Sequence, residues 1–393
     1  MSENGIKKIK CVYCGNNPTN HTLSYIFQTL MVLISPLTRM ISYLQNRYVD
    51  RLIEIIATPY VWLFTKLHIW GINTDMSKAK TERSLVIWQE AEKRGIKMEQ
   101  LVIFGKPVEQ YRARINGKLH YFESIPVPSS FQGKSYAWMD DKWTLKEFFK
   151  KHDIPVAYGA SVASHKHLNQ IFNHGRPPFI TKPRLGSRGR HTTTFLNTKE
   201  DLKNGFDIAK KLGCFVIVEE HLHGSVYRGT YVNGEVVGIL RGDPPRVKGD
   251  GASTIEELIS IKNKAKHPEV KDVLITPRLE EFIARQGLNL KSVIEKDRVI
   301  DLSEKIGISY GGFAAEEITK THPKTLEYIK RAGDLLAAPV VGFDFIIPNI
   351  EEDPDNQRWG IIEANSLPFI NLHHFPLEGE PINVAAKVWD LWD

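Results

Sequence analysis

Apolar positions along the chain fall into two zones with different periods. Residues 22–75 are rich in aromatic and branched apolar residues, with Arg39, Arg47, Arg51 and Lys66 interspersed. Leu44, Tyr48, Leu52, Ile55 and Ile56 recur there at helical spacing, which predicts amphipathic helices broken near Pro36 and Pro59. Their apolar face is expected to dock on the body of the protein or in a dimer; peripheral contact with a membrane surface is the alternative. From residue 81 the pattern alternates. TERSLVIWQEAEKRGI predicts a helix ended by Gly95, and EQLVIFG and YRARINGKLHYFESIP predict short strands with an Asn-Gly turn. KWTLKEFFKKHDIPVA reads as a helix leading into a strand, and HLNQIFNHGRPPFITKP as a helix followed by a strand ending at Lys182. Strands and helices then alternate to the C-terminus, so the fold class is α/β or α+β in layers, not a helical bundle.

Length and composition divide this pattern without changing it. With 393 residues, 42% hydrophobic and 25% charged, the chain has room for two or three domains. The expected division is a helical N-terminal extension (1–80), a small α/β domain (81–140) and a larger domain (141–393). A net charge of +6 is too mild over this length to argue for nucleic acid, and suits acidic substrates such as nucleotides or carboxylates. Three cysteines, Cys11, Cys14 and Cys214, fit a reducing cytoplasm better than a disulfide framework. CVYC at 11–14 has the spacing of half a zinc knuckle, but no second CxxC or HxxxH follows and only His21 lies near, so spacing alone does not predict a metal site. No secretory signal is expected: a polar NNPTNH segment separates Lys7, Lys8 and Lys10 from the apolar stretch. The uncharged run from 22 to 38 contains Gln28 and Pro36 and falls short of the roughly 20 apolar residues of a spanning helix.

The chemistry concentrates near the C-terminus. Glu363 and Asn365, two apart in IIEANSLPF, share one face of a strand. If VVGFDFIIP and WGIIEAN pair as a hairpin across the polar EEDPDNQRW loop, Asp344 joins them. Two carboxylates and an amide oxygen suit magnesium, which takes its remaining ligands from water and phosphate. Upstream, FITKPRLGSRGRHTTTF places Lys182 before a Gly186–Gly189 loop. Its backbone N–H groups could approach phosphate oxygens; a solvated hairpin carrying Arg188 and Arg190 is the rival reading. The strand CFVIVEEHLHG ends in Glu219 and Glu220 before a hinge at Gly224, suited to an adenine edge. Arg228, Arg241 and Arg246 follow, either converging on phosphate or carboxylate or solvated on strands.

The order of lysine, glycine loop, acidic hinge, arginines, Asp and ExN resembles the ATP-grasp superfamily. The resemblance is closest to the ATP-grasp portion of cyanophycin synthetases, over roughly 140–392. It is carried by MDDKWTLKEFFKKHDIPV, ITKPRLGSRGR, VIVEEHLHGSVYRG, RVKGDGASTIEELI, ARQGLNLKSV, SYGGFAAEEITKTHP, VVGFDFIIP and IIEANSLPFINLHHFPLEGEPINVA. It implies an ATP-grasp fold holding the nucleotide between two subdomains built on antiparallel sheets, and ATP-dependent joining of a small-molecule or peptide carboxylate to an amine through an acyl phosphate. Lys142 and Lys182 would contact the phosphates, with Gly186, Ser187, Arg188 and Gly189 closing over them. Glu219, Glu220 and the backbone near Leu222 would hold adenine. Asp344, Glu363 and Asn365 would bind two magnesium ions, with manganese a possible substitute, and Arg241 would stabilise the transferred phosphoryl group. Arg228, Arg246 and His373 are expected on the substrate side. Dimers or tetramers are common in the family. Three departures stand out: Val226 replaces the usual ribose-binding acid, DLSEKIGI with Lys305 replaces consecutive arginines, and no Mur-ligase-like domain follows, so the chain is not expected to run the two-ligase cycle alone. A phosphoryl-transferring kinase and a non-catalytic ATP-binding scaffold are the alternatives.

Overall fold

The structure, a computed structural model, describes residues 11–15, 18–44, 59–67, 69–128, 137–186 and 189–393. The helical spacing from Tyr48 to Ile56 lies outside them. Helix α1 (His21–Leu44) runs through Pro36, where a break was expected. Proline cannot donate to the Val32 carbonyl, but Ser35 Oγ does so at 2.8 Å, so that acceptor keeps a partner. Among its described residues, most of the apolar face of this helix does not dock on the body of the chain. Among the described positions of this helix, Gln28 and Val32 are buried, while Leu23, Ile26, Phe27, Leu30 and Leu33 are exposed. Residues 59–66 form α2. No helix among the described residues is long and apolar enough to cross a membrane.

The first sheet has the order β1 (Trp70–Asn73), β2 (Lys97–Ile103), β3 (Lys106–Ile115), β4 (Lys118–Glu123). Asn116 and Gly117 both have positive φ, 49° and 79°, the turn whose twist matches an antiparallel hairpin. Pairing of β1 with β2 carries this sheet across the expected boundary at residue 81. Helix α3 (Glu82–Lys93), capped by Thr81, lays Val86, Ile87 and Trp88 into a core with Tyr111 and Phe122. The far end of the chain completes that core.

Helix α4 (Lys142–Lys150) opens the second unit, a sheet of β5 (Gly159–Val162), β6 (Phe179–Pro183), β7 (Thr193–Leu196) and β8 (Val216–Glu220) in the order β5-β8-β6-β7. Helices α5 (Leu168–His174) and α6 (Lys199–Lys210) cover one face around Phe179, Leu196 and Phe206. The third unit carries β9 (Ser225–Val232), β10 (Glu235–Arg241), a ribbon of β11 (Arg246–Lys248) and β12 (Val299–Asp301) packed on α7 (Ile255–Ala265) and α8 (Pro277–Ala284), then β13 (Ala315–Glu316), α9 (Pro323–Leu336), β14 (Val340–Ile347) and β15 (Gly360–Asn365). Its main sheet runs β13-β10-β9-β14-β15, antiparallel throughout. Phe343 and Phe345 point to a core shared with α4 and α9. Alternation sends their neighbours Gly342 and Asp344 to the opposite face. Helices α10 (Asn371–His374) and α11 (Val384–Trp389) follow, and Val384 and Trp389 return to the α3 core.

Candidate active site

The hairpin expected between VVGFDFIIP and WGIIEAN forms. Asp344 lies opposite Glu363 and Gly342 opposite Asn365, and a bulge after Asp344 restores the inward register of Ile361 against Phe345. Asp344, Glu363 and Asn365 therefore share a face, with Asn365 Nδ2 3.5 Å from Asp344 Oδ2. Gly342 is required there: a Cβ would lie 2.7 Å from that of Pro368, which crosses over the strand. Arg228, opposite Asp344 on β9, grips its carboxylate in a fork, Nε to Oδ1 at 2.7 Å and Nη2 to Oδ2 at 2.8 Å. Arg228 thus belongs to the acid set.

Helix α4 faces this set. Leu145 and Phe149 anchor it in the core, so Lys142 and Lys146, four apart, share another side. Asp141 caps the helix through the N–H groups of Trp143 and Thr144 and forms a fork with Arg184, binding α4 to the segment after β6. Lys142 Nζ donates to the Gly186 carbonyl and lies 3.7 Å from Glu363 Oε1. The glycine loop and the acid set therefore lie within reach of one ammonium group. Ser187 and Arg188 lie outside the described residues.

Lys146, which sequence reasoning missed, reaches a buried carboxylate instead. Its Nζ and that of Lys182 both donate to Glu219, one to each oxygen. Burial alone would raise the Glu219 carboxyl, but the two ammonium groups outweigh it and hold it at about 2. Burial in turn pushes Lys146 down against the pull of Glu219. Two cations sharing one anion leave an excess positive charge, an arrangement that favours a further anion. The signal for Lys146 was in the sequence: on a helix that buries Leu145 and Phe149, it repeats the direction of Lys142.

The remaining expected residues separate. Glu220 points away from Glu219 and is taken by Arg358 and the Arg176 N–H. Leu222 is buried in the segment joining the two sheets. Arg241 pairs with Asp243 at 2.6 Å and Glu317 at 3.7 Å and lies over the Phe313 ring. Arg246 binds Asp301, the Gly224 carbonyl and Ser225 Oγ, so it anchors the hinge. His373 is wholly buried: Nδ1 meets Glu316 at 2.6 Å and Nε2 meets Thr230 at 2.7 Å. With both ring nitrogens engaged inside the sheet packing, it cannot line the substrate side. A cavity of about 820 Å³ between α6, β7 and α8, lined in part by Asn197, Arg285 and Arg298, shares no residue with the acid set.

The acid set fits a divalent cation. Its donors are hard oxygens, and turning the Asn365 amide over would present its oxygen.

No protein-family model matches the chain. Similar curated proteins include a glutathione biosynthesis bifunctional protein from Clostridium perfringens, 32% identical over 64% of this chain and 34% of its own length. A cyanophycin synthetase from Synechocystis is 30% identical over 64% of this chain and 30% of its own. The chain thus spans about a third of the length of these relatives. Among solved structures, a bifunctional glutathione synthetase from Pasteurella multocida superposes with a TM-score of 0.51 at 22% identity, covering 79% of this chain and 44% of that one. The fold is the α+β ATP-grasp fold.

Proposed function

We propose that the chain is an ATP- and magnesium-dependent ligase that joins a carboxylate to an amine through an acyl phosphate. The observation that carries this reading is the reach of Lys142 from the glycine-loop carbonyl to Glu363, which brings the loop and the acid set to one ammonium group.

In this reading Lys146 and Lys182 direct their charge at the triphosphate, and Glu219 orients both. The loop from Gly186 to Gly189 supplies backbone N–H groups. Asp344, Glu363 and Asn365 hold magnesium, two ions by family analogy, which neutralises phosphate charge when bound. Arg228 fixes Asp344, whereas Arg241, opposite Tyr227 on β9 and paired with Asp243 and Glu317, does not join the acid set. The substrate carboxylate attacks the γ-phosphorus, and the bond to the ADP oxygen breaks. The amine then attacks the acyl carbon, phosphate leaves with its C–O oxygen, and the nitrogen loses a proton. Positioning and charge neutralisation suffice, and no protein nucleophile is needed. The carboxylate is that of an amino acid or short peptide, the class suggested by the names of the relatives.

The test is hydroxamate formation with magnesium-ATP, hydroxylamine and pooled amino acids and acidic peptides, with Glu363→Ala as control. Glu363-dependent hydroxamate is expected, and splitting the pool identifies the acid. ATP-dependent phosphorylation of a stable acceptor, without hydroxamate, would overturn the ligase reading in favour of a kinase.

A further inference from the structure

The CxxC at the N-terminus is not a lone half-knuckle. Residues Val12–Cys14 form a single 3-10 turn, and Gly15, at φ 62°, lets the chain leave it. This turn sets both cysteine sulfurs on one side. His21, the first residue of α1, brings Nε2 to 3.4 Å from Cys14 Sγ. The fourth group comes from far along the chain: His191 Nε2 lies 3.4 Å from Cys11 Sγ and 3.5 Å from Cys14 Sγ. One ligand atom from each of the four residues falls within 4.8 Å of every other.

These distances match a shared metal ion. With metal–sulfur bonds of about 2.3 Å and metal–nitrogen bonds of about 2.0–2.1 Å at tetrahedral angles, sulfur and nitrogen ligands stand about 3.5–3.6 Å apart. The surroundings also fit. His191 Nδ1 lies 2.7 Å from the Ile208 carbonyl, so Nδ1 carries the proton and Nε2 turns its lone pair toward the sulfurs. Two thiolates and two imidazoles are a set for zinc, with softness and geometry both against magnesium or calcium.

We propose that Cys11, Cys14, His21 and His191 bind a structural zinc ion that fastens the N-terminal segment to the base of the glycine loop. His191 stands two residues beyond Gly189, and its N–H donates to the Tyr13 carbonyl at 3.0 Å. Lys305 Nζ donates to the Gly189 carbonyl, closing the same corner from another element. The zinc therefore joins residues 180 positions apart at the foot of the loop assigned to phosphate.

The test does not depend on activity. Full-length protein, purified reduced and without chelator, should contain one zinc per chain by elemental analysis. Cys14→Ser and His191→Ala should lose it, and Glu363→Ala should keep it. Because the first two variants could fail to fold, cobalt is also titrated into zinc-stripped wild-type protein. Intense visible bands with a thiolate charge-transfer shoulder are expected, together with slowed amide exchange in residues 11–15 and 189–191. Zinc-free protein giving only the pale spectrum of octahedral cobalt would overturn the proposal, as would zinc that disappears with Glu363→Ala.

Discussion

The acid-bearing hairpin and the cysteine–histidine cluster each gather a small set of ligand atoms, but by opposite routes. Asp344 and Asn365 are 21 positions apart and meet through one antiparallel register. Cys11 and His191 are 180 apart and meet because α1 packs beside the second sheet, where Thr29 Oγ1 accepts from the Cys214 N–H. A local register follows from strand periodicity, so the first set could be assembled from sequence. A meeting between distant segments depends on tertiary packing, which periodicity does not report. Spacing alone could not predict a site at CVYC for that reason: His191, the fourth member of the cluster, lies in RHTTTF, a stretch that reads only as the return from a glycine loop.

The largest expected effect separates the two regions. Glu363→Ala should lower turnover by about three orders of magnitude without shifting Tm, measured as ADP release beside thermal unfolding. Cysteine substitution should do the reverse, shifting Tm more than turnover. Equal loss of both in both variants would erase the distinction between a chemical site and a structural one.

Glu219→Gln should come next. It leaves the Lys146 and Lys182 ammonium groups buried together without a counter-charge, costing about 3–5 kcal/mol in urea unfolding. Saturating ATP should recover part of that loss, since phosphate supplies the missing anion. No recovery would place the two lysines in a purely structural pair.

A pH titration follows from the same carboxylate. Glu219 is depressed from an ordinary 4.5 to about 2 in the folded protein. Its stabilising contribution is therefore complete above pH 4.5 and is lost as pH falls toward 2. Wild-type stability should show this acid-side loss, and Glu219→Gln should lack it. Parallel acid curves would contradict the assignment.

The smallest effect belongs to the knuckle turn. Gly15→Ala forces a side chain into the left-handed region, at φ 62°, and should cost about 1 kcal/mol, weakening zinc binding roughly fivefold in a chelator competition. Unchanged affinity would show that the turn is not part of the site.

Other differences between expectation and structure share the same physical origin. The Asn116–Gly117 turn, the strand ending at Lys182 and the acid set were legible because each rests on nearest neighbours along one element or one hairpin. Lys146 needed only a helix-face argument. Arg228 required knowledge that β9 lies beside β14, and the burial of His373 required the packing of α10 on β9 and β10. The strand WGIN before residue 81, four residues long, is too short to stand out until β2 pairs with it.

The most direct test of the central claim follows an oxygen atom. With the substrate acid identified and its carboxylate labelled with heavy oxygen, single-turnover reaction with magnesium-ATP and the amine should transfer one labelled oxygen to inorganic phosphate. Label appearing in phosphate, and absent when Glu363→Ala replaces the wild type, is the predicted result. ATP consumed to ADP with an amide formed and no label in phosphate would contradict carboxylate activation through an acyl phosphate at this site.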